Sequence, residues 1–518
     1  MNTDVIIVGS GVAGLYCALN LPEYKKITIV TKDEAPKSDS FLAQGGICVL
    51  RDESDFNAFY EDTMRAGHYE NNPDSVEIMI RSSQEVIRDL VFFGAKFEKD
   101  GEEFTYTREG AHSNPRILFH EDETGKEITQ NLLNTVRNRR NITLIENFTM
   151  VDLICNNDEC KGIIGHNEKG EYISISADYT VLATGGIGGL FKHSTNYRHL
   201  TGDALAVALK HGIRLKHIDY IQIHPTTLYT EKHGREFLIS ESVRGEGAIL
   251  LNSKGERFVN ELLPRDVVAN AIFDEMKKEG SEHVWLSLAP ISEKEIRAHF
   301  PNIYQRCLEE GYDVTKEPIP VVPSQHYFMG GIDVDAFSKT SMDRLYAVGE
   351  TACNGVHGKN RLASNSLLES LVFAKRAATD IVKNYTVSDD KKEIMGDVDF
   401  NDAAALQVHL GILRRAELQE ILNILDTEVH IIRLGNIAFA SNPFELFLDY
   451  GNQIKARSLA EQTFLIQLAC GAEGYLPTKK AEMGGHYSAF VSSGNVGHIG
   501  GEQLVRQTLT EINGIFKD

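Results

Sequence analysis

Short apolar runs alternate with longer amphipathic stretches along most of this 518-residue chain. An apolar run bounded by turn residues favours a buried strand, and apolar positions three or four residues apart favour a helix. The apolar runs predict strands at residues 5–8, 27–30, 142–145 and 173–175, and strands that break into glycine turns at 179–186 and 345–350. Helical spacing predicts helices from Leu15 onward, within 55–93, at 267–278 and 293–311, and from Ser366 onward, and 248–258 is hairpin-like. This alternation of strands and helices predicts an α/β fold.

The first predicted strand opens into a glycine-rich loop, Gly9-Ser10-Gly11-Val12-Ala13-Gly14. Gly9 permits a tight turn, Gly11 lets the backbone approach a pyrophosphate, and Gly14 allows close packing of the following helix. The N-terminus of that helix offers free amide groups and a positive dipole. Strand, loop and helix in this order predict a dinucleotide site. NAD enzymes usually place an acid at the end of the second strand, where this chain has Thr31-Lys32, and this weakens an NAD assignment.

Length, charge and cysteine usage narrow the class of protein. A chain of 518 residues is too long for one compact core and predicts two or three domains. The formal net charge of -21 argues against nucleic acid or an anionic membrane as a partner, because phosphates would be repelled. Seven cysteines without a CxxC pair are typical of reduced thiols, and no apolar run reaches the roughly 18 residues of a membrane helix. These features predict a cytoplasmic enzyme.

Six further motifs lie between residues 43 and 369. They are AQGGI at 43–47, TREGAHS at 107–113, IHPT at 223–226, PRD at 264–266, QHYFMGG at 325–331 and NRLASNSLLE at 360–369. With the glycine loop, they make the chain resemble the FAD-dependent succinate dehydrogenase and fumarate reductase flavoprotein family, and within it the L-aspartate oxidases. The resemblance covers about residues 1–385.

This resemblance implies an α/β architecture with an α+β cap. A Rossmann-like FAD-binding domain is expected at 1–217 and 326–385, with an inserted capping domain at 218–325. The active site is expected between these two domains.

The resemblance also implies which residues contact FAD. They are Gly9, Ser10, Gly11, Ala13 and Gly14 at the pyrophosphate, Lys32 at the adenosine side, Ser40, Gln44, Gly45 and Gly46 at the flavin side, and Asp203, Glu350, Ser366 and Leu367. Ser366 and Leu367 open a helix whose N-terminus would stabilise the negative charge of reduced flavin. Succinate dehydrogenases attach flavin through a histidine where this chain has Asp39, so FAD is expected to be non-covalent.

A dicarboxylate substrate requires two cationic or strongly donating clusters, and arginine binds a carboxylate best through two parallel hydrogen bonds. By the resemblance, Arg265 transfers a proton when fumarate-like substrates are reduced and otherwise binds a carboxylate. Arg361 would bind a carboxylate together with His326, and His224 with Thr226 would bind the other. Each histidine is either doubly protonated or a neutral donor.

Glu109 is the residue expected to select the substrate. Its carboxylate would pair with the α-ammonium group of aspartate, which succinate lacks. His112, Arg116, Ser240, Glu241 and Arg244 are expected to line the same site.

The activity implied by the resemblance is FAD-dependent oxidation of L-aspartate to iminoaspartate, with oxygen or fumarate as electron acceptor. This is the first step of de novo NAD biosynthesis, and quinolinate synthase would be the downstream enzyme. The alternatives are a soluble fumarate reductase or succinate oxidase on the same scaffold, and a non-catalytic flavin-binding interaction protein.

The tail, residues 386–518, departs from the helical bundle that commonly ends L-aspartate oxidases. Its pattern predicts an atypical α/β segment: a linker at 388–402, helices at 410–426 and 445–457, strands at 430–440 and 464–469, and glycine-rich loops at 471–474 and 484–501. Short motifs at 441–444, 474–478 and 484–487 resemble the end of a neutral-ceramidase-type hydrolase domain.

That hydrolase resemblance covers only a fragment of such a domain. Asn442 stands where an acid is expected, and the upstream zinc-binding histidines have no counterpart. A zinc site of His486, His498 and Glu502 is an alternative, but no regular spacing brings these residues together. The sequence therefore predicts no metal, and it favours a structural appendage or a fusion of unrelated coding segments.

Overall fold

The computed structural model describes residues 2–156, 158–191, 193–230, 234–386, 430–434, 436–441, 445–446, 448–466, 475–476 and 498–516. The chain groups into two compact units, Met1–Lys392 and Glu393–Asp518. None of the helices in these described ranges is long and apolar enough to cross a membrane.

Strands and helices of the first unit follow one another as an α/β protein requires. The described strands are β1 Asn2–Val8, β2 Ile27–Val30, β3 Ile47–Cys48, β4 Lys99–Asp100, β5 Glu103–Phe104, β6 Ile117–Leu118, β7 Ile142–Ile145, β8 Thr149–Asn156, β9 Glu159–His166, β10 Tyr172–Leu182, β11 Leu215–Lys216, β12 Ile221–Leu228, β13 Phe237–Leu238, β14 Ile249–Leu251, β15 Val284–Ser287, β16 Ile319–Phe328, β17 Gly331–Asp333, β18 Leu345–Ala347 and β19 Ala352–Cys353. The described helices are α1 Val12–Asn20, α2 Phe56–Ala66, α3 Pro73–Phe92, α4 Thr124–Asn138, α5 Asp203–Lys210, α6 Glu241–Gly245, α7 Arg265–Glu279, α8 Glu293–His299, α9 Pro301–Glu309 and α10 Asn365–Lys383.

A seven-stranded sheet forms the centre of this unit, in the order β7-β2-β1-β10-β9-β8, with β18 also paired to β10. The strands β7, β2, β1, β10 and β18 are parallel to their neighbours. Apolar side chains of β1 and β2 pack against α1, α3 and α10 in a continuous core. The carboxyl ends of β1 and β10 therefore meet the N-terminus of α1, which is where ligands bind in open parallel sheets.

The two strands predicted at 173–175 and 179–186 are one strand, β10. No glycine or proline interrupts residues 176–178, so the chain stays extended between the two apolar runs. The length of β10 lets its first half pair with β9 and its second half with β18.

A separate five-stranded sheet, ordered β13-β12-β16-β15-β14, packs against α7, α8 and α9 around its own apolar core. The single helix predicted at 293–311 is wrong, because the chain breaks at Phe300 and restarts with Pro301 in the first turn of α9. The hairpin-like piece 248–258 contains only one bridge, between Leu251 and Arg257, and β14 pairs instead with β15. The division of the first unit into FAD-binding and capping domains stays a proposal, which these separate sheets and cores support.

The second unit has a three-stranded sheet of β20 His430–Leu434, β21 Ile437–Ser441 and β23 Gln462–Ile466, and a strand pair of β22 Glu445–Leu446 with β24 Tyr475–Leu476. Its helices, α11 Leu448–Arg457 and α12 His498–Ile515, pack on the three-stranded sheet around Ala438, Tyr450, Ile454 and Leu504.

Three expectations for the tail need correction. The strand predicted at 430–440 is a hairpin of β20 and β21 that turns at Asn436, and the helix predicted from 445 begins at Leu448 because residues 445–446 pair as a strand. The loop predicted to reach residue 501 gives way to α12 at His498.

The other tail expectations extend beyond the residues that the structure describes. The strand predicted at 464–469 is described only as far as Ile466, within β23. The linker at 388–402, the helix at 410–426, the loop at 471–474 and residue His486 of the alternative zinc site lie outside the described residues.

Candidate active site

One cavity of the first unit brings together most of the residues that the sequence assigns to FAD and substrate. Its walls include Gly9, Ser10, Gly11, Ala13, Lys32, Ser40, Gln44, Gly45, Gly46, Glu109, Asp203, His224, Arg265, His326, Glu350, Arg361, Ser366 and Leu367. Gly14 and Thr226 do not reach its wall.

The glycine loop forms one end of the cavity through close backbone contacts. Gly9 has a φ of +119°, and a Cβ there would collide with the carbonyl oxygen of Ala183 at the end of β10. A Cβ on Gly14 would collide with the carbonyl oxygen of Gly9, so Gly14 acts through helix packing rather than by facing the cavity. The backbone N–H of Val12 is held by the Ser40 hydroxyl at 3.2 Å. This end is a cradle in which main-chain groups approach a ligand closely.

Lys32 and Asp203 meet where the adenosine side is expected. The Lys32 ammonium donates to Asp203 at 3.0 Å, to the carbonyl of His199 at 2.8 Å and to the hydroxyl of Thr201 at 3.1 Å. Asp203 opens α5 after Gly202, which has a left-handed φ of +69°. The two side chains thus fix each other on the cavity wall.

The flavin-side loop contains a buried polar atom that the described residues leave unbonded. This atom is Oε1 of Gln44, which accepts no hydrogen bond from any described residue. A Cβ on Gly45 would collide with the Glu109 carboxylate, and one on Gly46 with the backbone of Leu118. On the same cavity, α10 begins directly after Ser364 and presents the amides of its first turn around Ser366 and Leu367.

Two buried acids also face this cavity. Burial raises the pKa of Glu350 to about 8, although the Phe328 amide donates to its carboxylate at 2.8 Å. Burial likewise raises the pKa of Asp39 to about 7, and its Oδ2 atom has no hydrogen-bond partner among the described residues. A carboxyl group whose pKa lies near neutral pH suits contacts with hydroxyl groups of a ligand.

The cradle of main-chain groups, the unpartnered Gln44 oxygen and the free amides of α10 fit FAD. These are the backbone donors and close approaches that a dinucleotide requires. A carboxylate at position 39 cannot form the histidine linkage of covalent flavoproteins, so the residues fit a non-covalent FAD.

Arg265 is held firmly on the substrate side. Its Nε donates to Glu241 at 2.5 Å and its Nη1 donates to Gln222 at 2.8 Å, which fixes the plane of the guanidinium. The side chain is 8% exposed and lies on the cavity wall. Among the described residues, none accepts a hydrogen bond from the remaining nitrogen, Nη2. That nitrogen is available to a ligand carboxylate.

Arg361 is a buried cation with few contacts that offset the cost of burying its charge. Its Nη1 donates to the Ser366 hydroxyl at 3.0 Å, and its guanidinium lies 4.5 Å from the centre of the Tyr327 ring. Its Nε has no hydrogen-bond partner in the part of the chain that the structure describes. Burial, with a further contribution from Arg265, lowers the pKa of Arg361 to about 10. The group therefore stays charged near neutral pH, and the cavity favours an anionic ligand.

His224 and His326 stand side by side, with ring centres 5.1 Å apart. Burial and the nearby Arg265 hold the pKa of each imidazole well below its ordinary value, so both rings are neutral near pH 7. No described residue forms a hydrogen bond with the Nε2 atom of His224, and Nδ1 of His326 contacts the Thr195 hydroxyl at 2.7 Å. Of the two states expected from the sequence, the surroundings favour the neutral one.

Thr226 shares the strand β12 with His224 but turns away from the cavity. Its hydroxyl donates to the carbonyl of Ile239 at 3.1 Å. The pairing of β12 with β16 shifts register between His224 and Thr227, and this bulge breaks the alternation of faces. Thr226 instead supports His224 through its backbone N–H, which lies 3.2 Å from Nδ1.

Glu109 lies on the cavity wall with both carboxylate oxygens bonded. Oε1 accepts from the Ser242 hydroxyl at 2.8 Å and Oε2 accepts from the Ser364 hydroxyl at 2.6 Å. Burial and the neighbouring Glu241 raise the pKa of Glu109. A positively charged group in the cavity would stabilise its ionised form.

Ser240 and Glu241 line the cavity as expected, but His112, Arg116 and Arg244 lie behind its wall. Arg116 is fully buried and bonds to Asp55 and Asp62. Its Nη1 also donates to Nδ1 of His112, whose Nε2–H donates to the carbonyl of Ala363 at 3.1 Å. Burial lowers the pKa of His112 to about 4, so it acts as a neutral bridge that holds the loop before α10. Arg244 donates to the carbonyl of Glu261 at 2.6 Å.

Sequence reasoning missed Gln222, Ser242 and the part that Ser364 plays. Gln222 accepts from Arg265 and donates to the Arg361 carbonyl at 2.8 Å, so it links the two arginines. Alternation along β12 was no reliable signal for it, because the pairing with β16 also shifts register between Gln222 and Ile223. Ser242 carries no such signal, since only folding brings it to Glu109.

Comparison with known proteins places this geometry in a family. The model of the FAD binding domain family matches residues 4–367, which is more than half of the chain. Two solved structures resemble the chain at moderate identity: an Escherichia coli quinol fumarate reductase variant (TM-score 0.71, 29% identity, 79% of this chain and 74% of that chain) and the open conformation of a flavocytochrome c3 fumarate reductase (TM-score 0.60, 26% identity, 74% and 78%).

Curated relatives give the branch within that family. The L-aspartate oxidase of Clostridium perfringens is 54% identical over 379 residues, which is 73% of this chain and 86% of the relative. The L-aspartate oxidase of Clostridium acetobutylicum is 51% identical over 75% of this chain and 89% of the relative, and that of Pseudomonas aeruginosa is 40% identical over 73% and 74%. The chain therefore belongs to the family of FAD-dependent L-aspartate oxidases.

Proposed function

We propose that this chain oxidises L-aspartate to iminoaspartate, with oxygen or fumarate as the final electron acceptor. The observation that carries the proposal is the presence of the Glu109 carboxylate on the substrate side of the cavity, beside Arg265 (which is held by Glu241), Arg361 and two neutral histidines. Two cationic groups suit two carboxylates, and one carboxylate suits one ammonium group. An amino-dicarboxylate matches this pattern, and family membership favours aspartate.

Binding residues would orient the substrate by charge. Arg265, through its free Nη2, and Arg361, through its unpartnered Nε, would each receive a substrate carboxylate. His224 and His326 would donate hydrogen bonds without adding charge, because both are neutral. Bound FAD supplies the acceptor for the hydride that leaves the α-carbon. The protein contributes position and electrostatics to that transfer.

Glu109 would bind the amino group of the substrate and accept its proton. Its ionised carboxylate accepts hydrogen bonds from the substrate ammonium, and its raised pKa makes it a stronger base than an ordinary glutamate. The amine must lose a proton before it can release a hydride from the α-carbon. Glu109 would accept that proton, and its raised pKa supports this role.

The product would pass to another enzyme. Iminoaspartate is unstable in water, so we propose quinolinate synthase as the downstream enzyme and the cytoplasm as the location, with the reaction serving as the first step of de novo NAD biosynthesis. These assignments are supported by family membership rather than by a described contact.

Replacing Glu109 with glutamine tests the substrate assignment. The variant is expected to lower kcat/KM for L-aspartate by about 100-fold, because a buried charge pair is lost, while fumarate reduction changes by less than about threefold. Both activities are measured on the same FAD-bound protein, with Glu103→Gln as an exposed acid control. Equal losses for aspartate and fumarate would contradict the pairing of Glu109 with the ammonium group.

A further inference from the structure

The carboxylate of Glu109 is held by two serines that come from different parts of the first unit. Ser364 precedes α10 and has a left-handed φ of +59°, and its hydroxyl donates to Oε2 at 2.6 Å. Ser242 belongs to α6, and its hydroxyl donates to Oε1 at 2.8 Å. Because each oxygen receives one hydroxyl, the carboxylate plane is fixed from both sides.

Ser242 is itself supported by the start of α6. Its backbone N–H donates to the Ser240 hydroxyl at 3.3 Å, and the two hydroxyl oxygens are 3.1 Å apart. Since the Ser242 proton is committed to Glu109, the Ser240 hydroxyl is left to donate to Ser242. The resulting chain of hydroxyl groups ends on the carboxylate.

The charges around Glu109 make these donors important. Burial and the carboxylate of Glu241 on α6 oppose ionisation of Glu109, as their effect on its pKa shows. The cations that favour ionisation are Arg244 on α6, Arg265 on α7 and Arg361 before α10, and the buried thiol of Cys48 on β3 is a further titratable neighbour. Hydroxyl donors favour the ionised form directly, because a carboxylate accepts hydrogen bonds better than a carboxylic acid does.

We propose that Ser242 is a positioning residue for amino-group recognition, which keeps the Glu109 carboxylate ionised and oriented toward the substrate ammonium. The role rests on the proposed oxidation of L-aspartate. It also makes recognition of the amino group depend on α6, whereas binding of the two carboxylates does not require this hydroxyl.

The test begins with Ser242→Ala in the FAD-bound protein. Loss of a hydrogen bond to a charged group is expected to lower kcat/KM for L-aspartate by about 10-fold. Fumarate reduction and the dissociation constant for succinate, read from perturbation of the flavin spectrum, should change by less than about twofold. The acid limb of the aspartate pH profile should move up by about one pH unit, because Glu109 without its donor stays protonated to a higher pH.

A double-mutant cycle separates positioning from general structural damage. In a Glu109→Gln background, Ser242→Ala should change kcat/KM for aspartate by less than about twofold, because the charge it supports is gone. Ser287→Ala removes another buried serine hydroxyl, at the end of β15, and serves as the matched control with wild-type kinetics expected.

The outcomes separate this inference from the proposed function. If wild-type protein does not oxidise L-aspartate, both are overturned. If wild-type protein does so but Ser242→Ala lowers aspartate and fumarate activity equally, leaves the pH profile in place, or has an undiminished effect in the Glu109→Gln background, the role of Ser242 alone is overturned.

Discussion

Replacing Arg265 with leucine is expected to lower the rate of anaerobic flavin reduction by L-aspartate by about 1000-fold, which is the scale for losing a preorganised charge at a reacting centre. Arg265 is the cation whose plane is fixed twice, by Glu241 at 2.5 Å and by Gln222 at 2.8 Å, while Nη2 is left for substrate. The flavin spectrum should persist, because no FAD-side residue contacts this side chain through a hydrogen bond in the described structure. Rapid mixing followed by absorbance gives the rate.

Two further variants test whether the loss is specific to the guanidinium of Arg265. Arg265→Lys preserves the charge but lacks the planar fork, so it should still lose most of the activity. Arg297→Leu removes a half-exposed arginine of α8 that pairs with Glu293, and it should behave as wild type. If Arg265→Leu reduces its flavin within tenfold of the wild-type rate, Arg265 does not belong to the substrate site.

Replacing Gly9 with alanine is expected to raise the dissociation constant for FAD by at least about 100-fold, because strain of a few kcal/mol falls on the loop that approaches the cofactor. The residue has a φ of +119°, and its new Cβ would meet the backbone carbonyl of Ala183, which cannot move without distorting β10. The purified variant should therefore be colourless, and equilibrium titration with FAD measures the loss.

Gly212→Ala is the matched control for backbone strain. Gly212 also has a positive φ, of +66°, but a Cβ there meets nothing within 4 Å. It should keep its FAD while losing a little stability. A yellow Gly9→Ala protein with wild-type affinity would show that the glycine loop does not form the cofactor cradle.

The parts of this protein that the sequence predicts well are those in which a local pattern determines the geometry. The glycine loop follows directly from the strand β1, and the strands β2 and β7 have the predicted bounds, since their largely apolar runs are short and flanked by polar residues. The continuity of β10 and the break at Phe300 were missed because each depends on a few residues that lie between two clear hydrophobic patterns. Pro301 was the available signal for the second.

The candidate active site shows a different limit of prediction from sequence. Arg265 and Arg361 are 96 residues apart, and only the family resemblance brought them into one hypothesis. Thr226 was expected beside His224, but a bulge in β12 turns it away, and Pro225 inside the strand was the available signal. Arg116 was expected to face the site, yet Asp55 and Asp62 neutralise it behind the wall. For Arg116, ion-pair partners more than 50 residues away along the chain decide that its charge is not available to a ligand.

The most direct test of the account is to mix the purified FAD-bound protein with L-aspartate, and separately with succinate, in the absence of oxygen. The account predicts that aspartate bleaches the flavin band and that succinate does not, because only aspartate offers an ammonium group to Glu109. Bleaching by succinate alone would contradict it and indicate a succinate oxidase or fumarate reductase, and bleaching by neither would contradict it in favour of a non-catalytic flavin-binding protein.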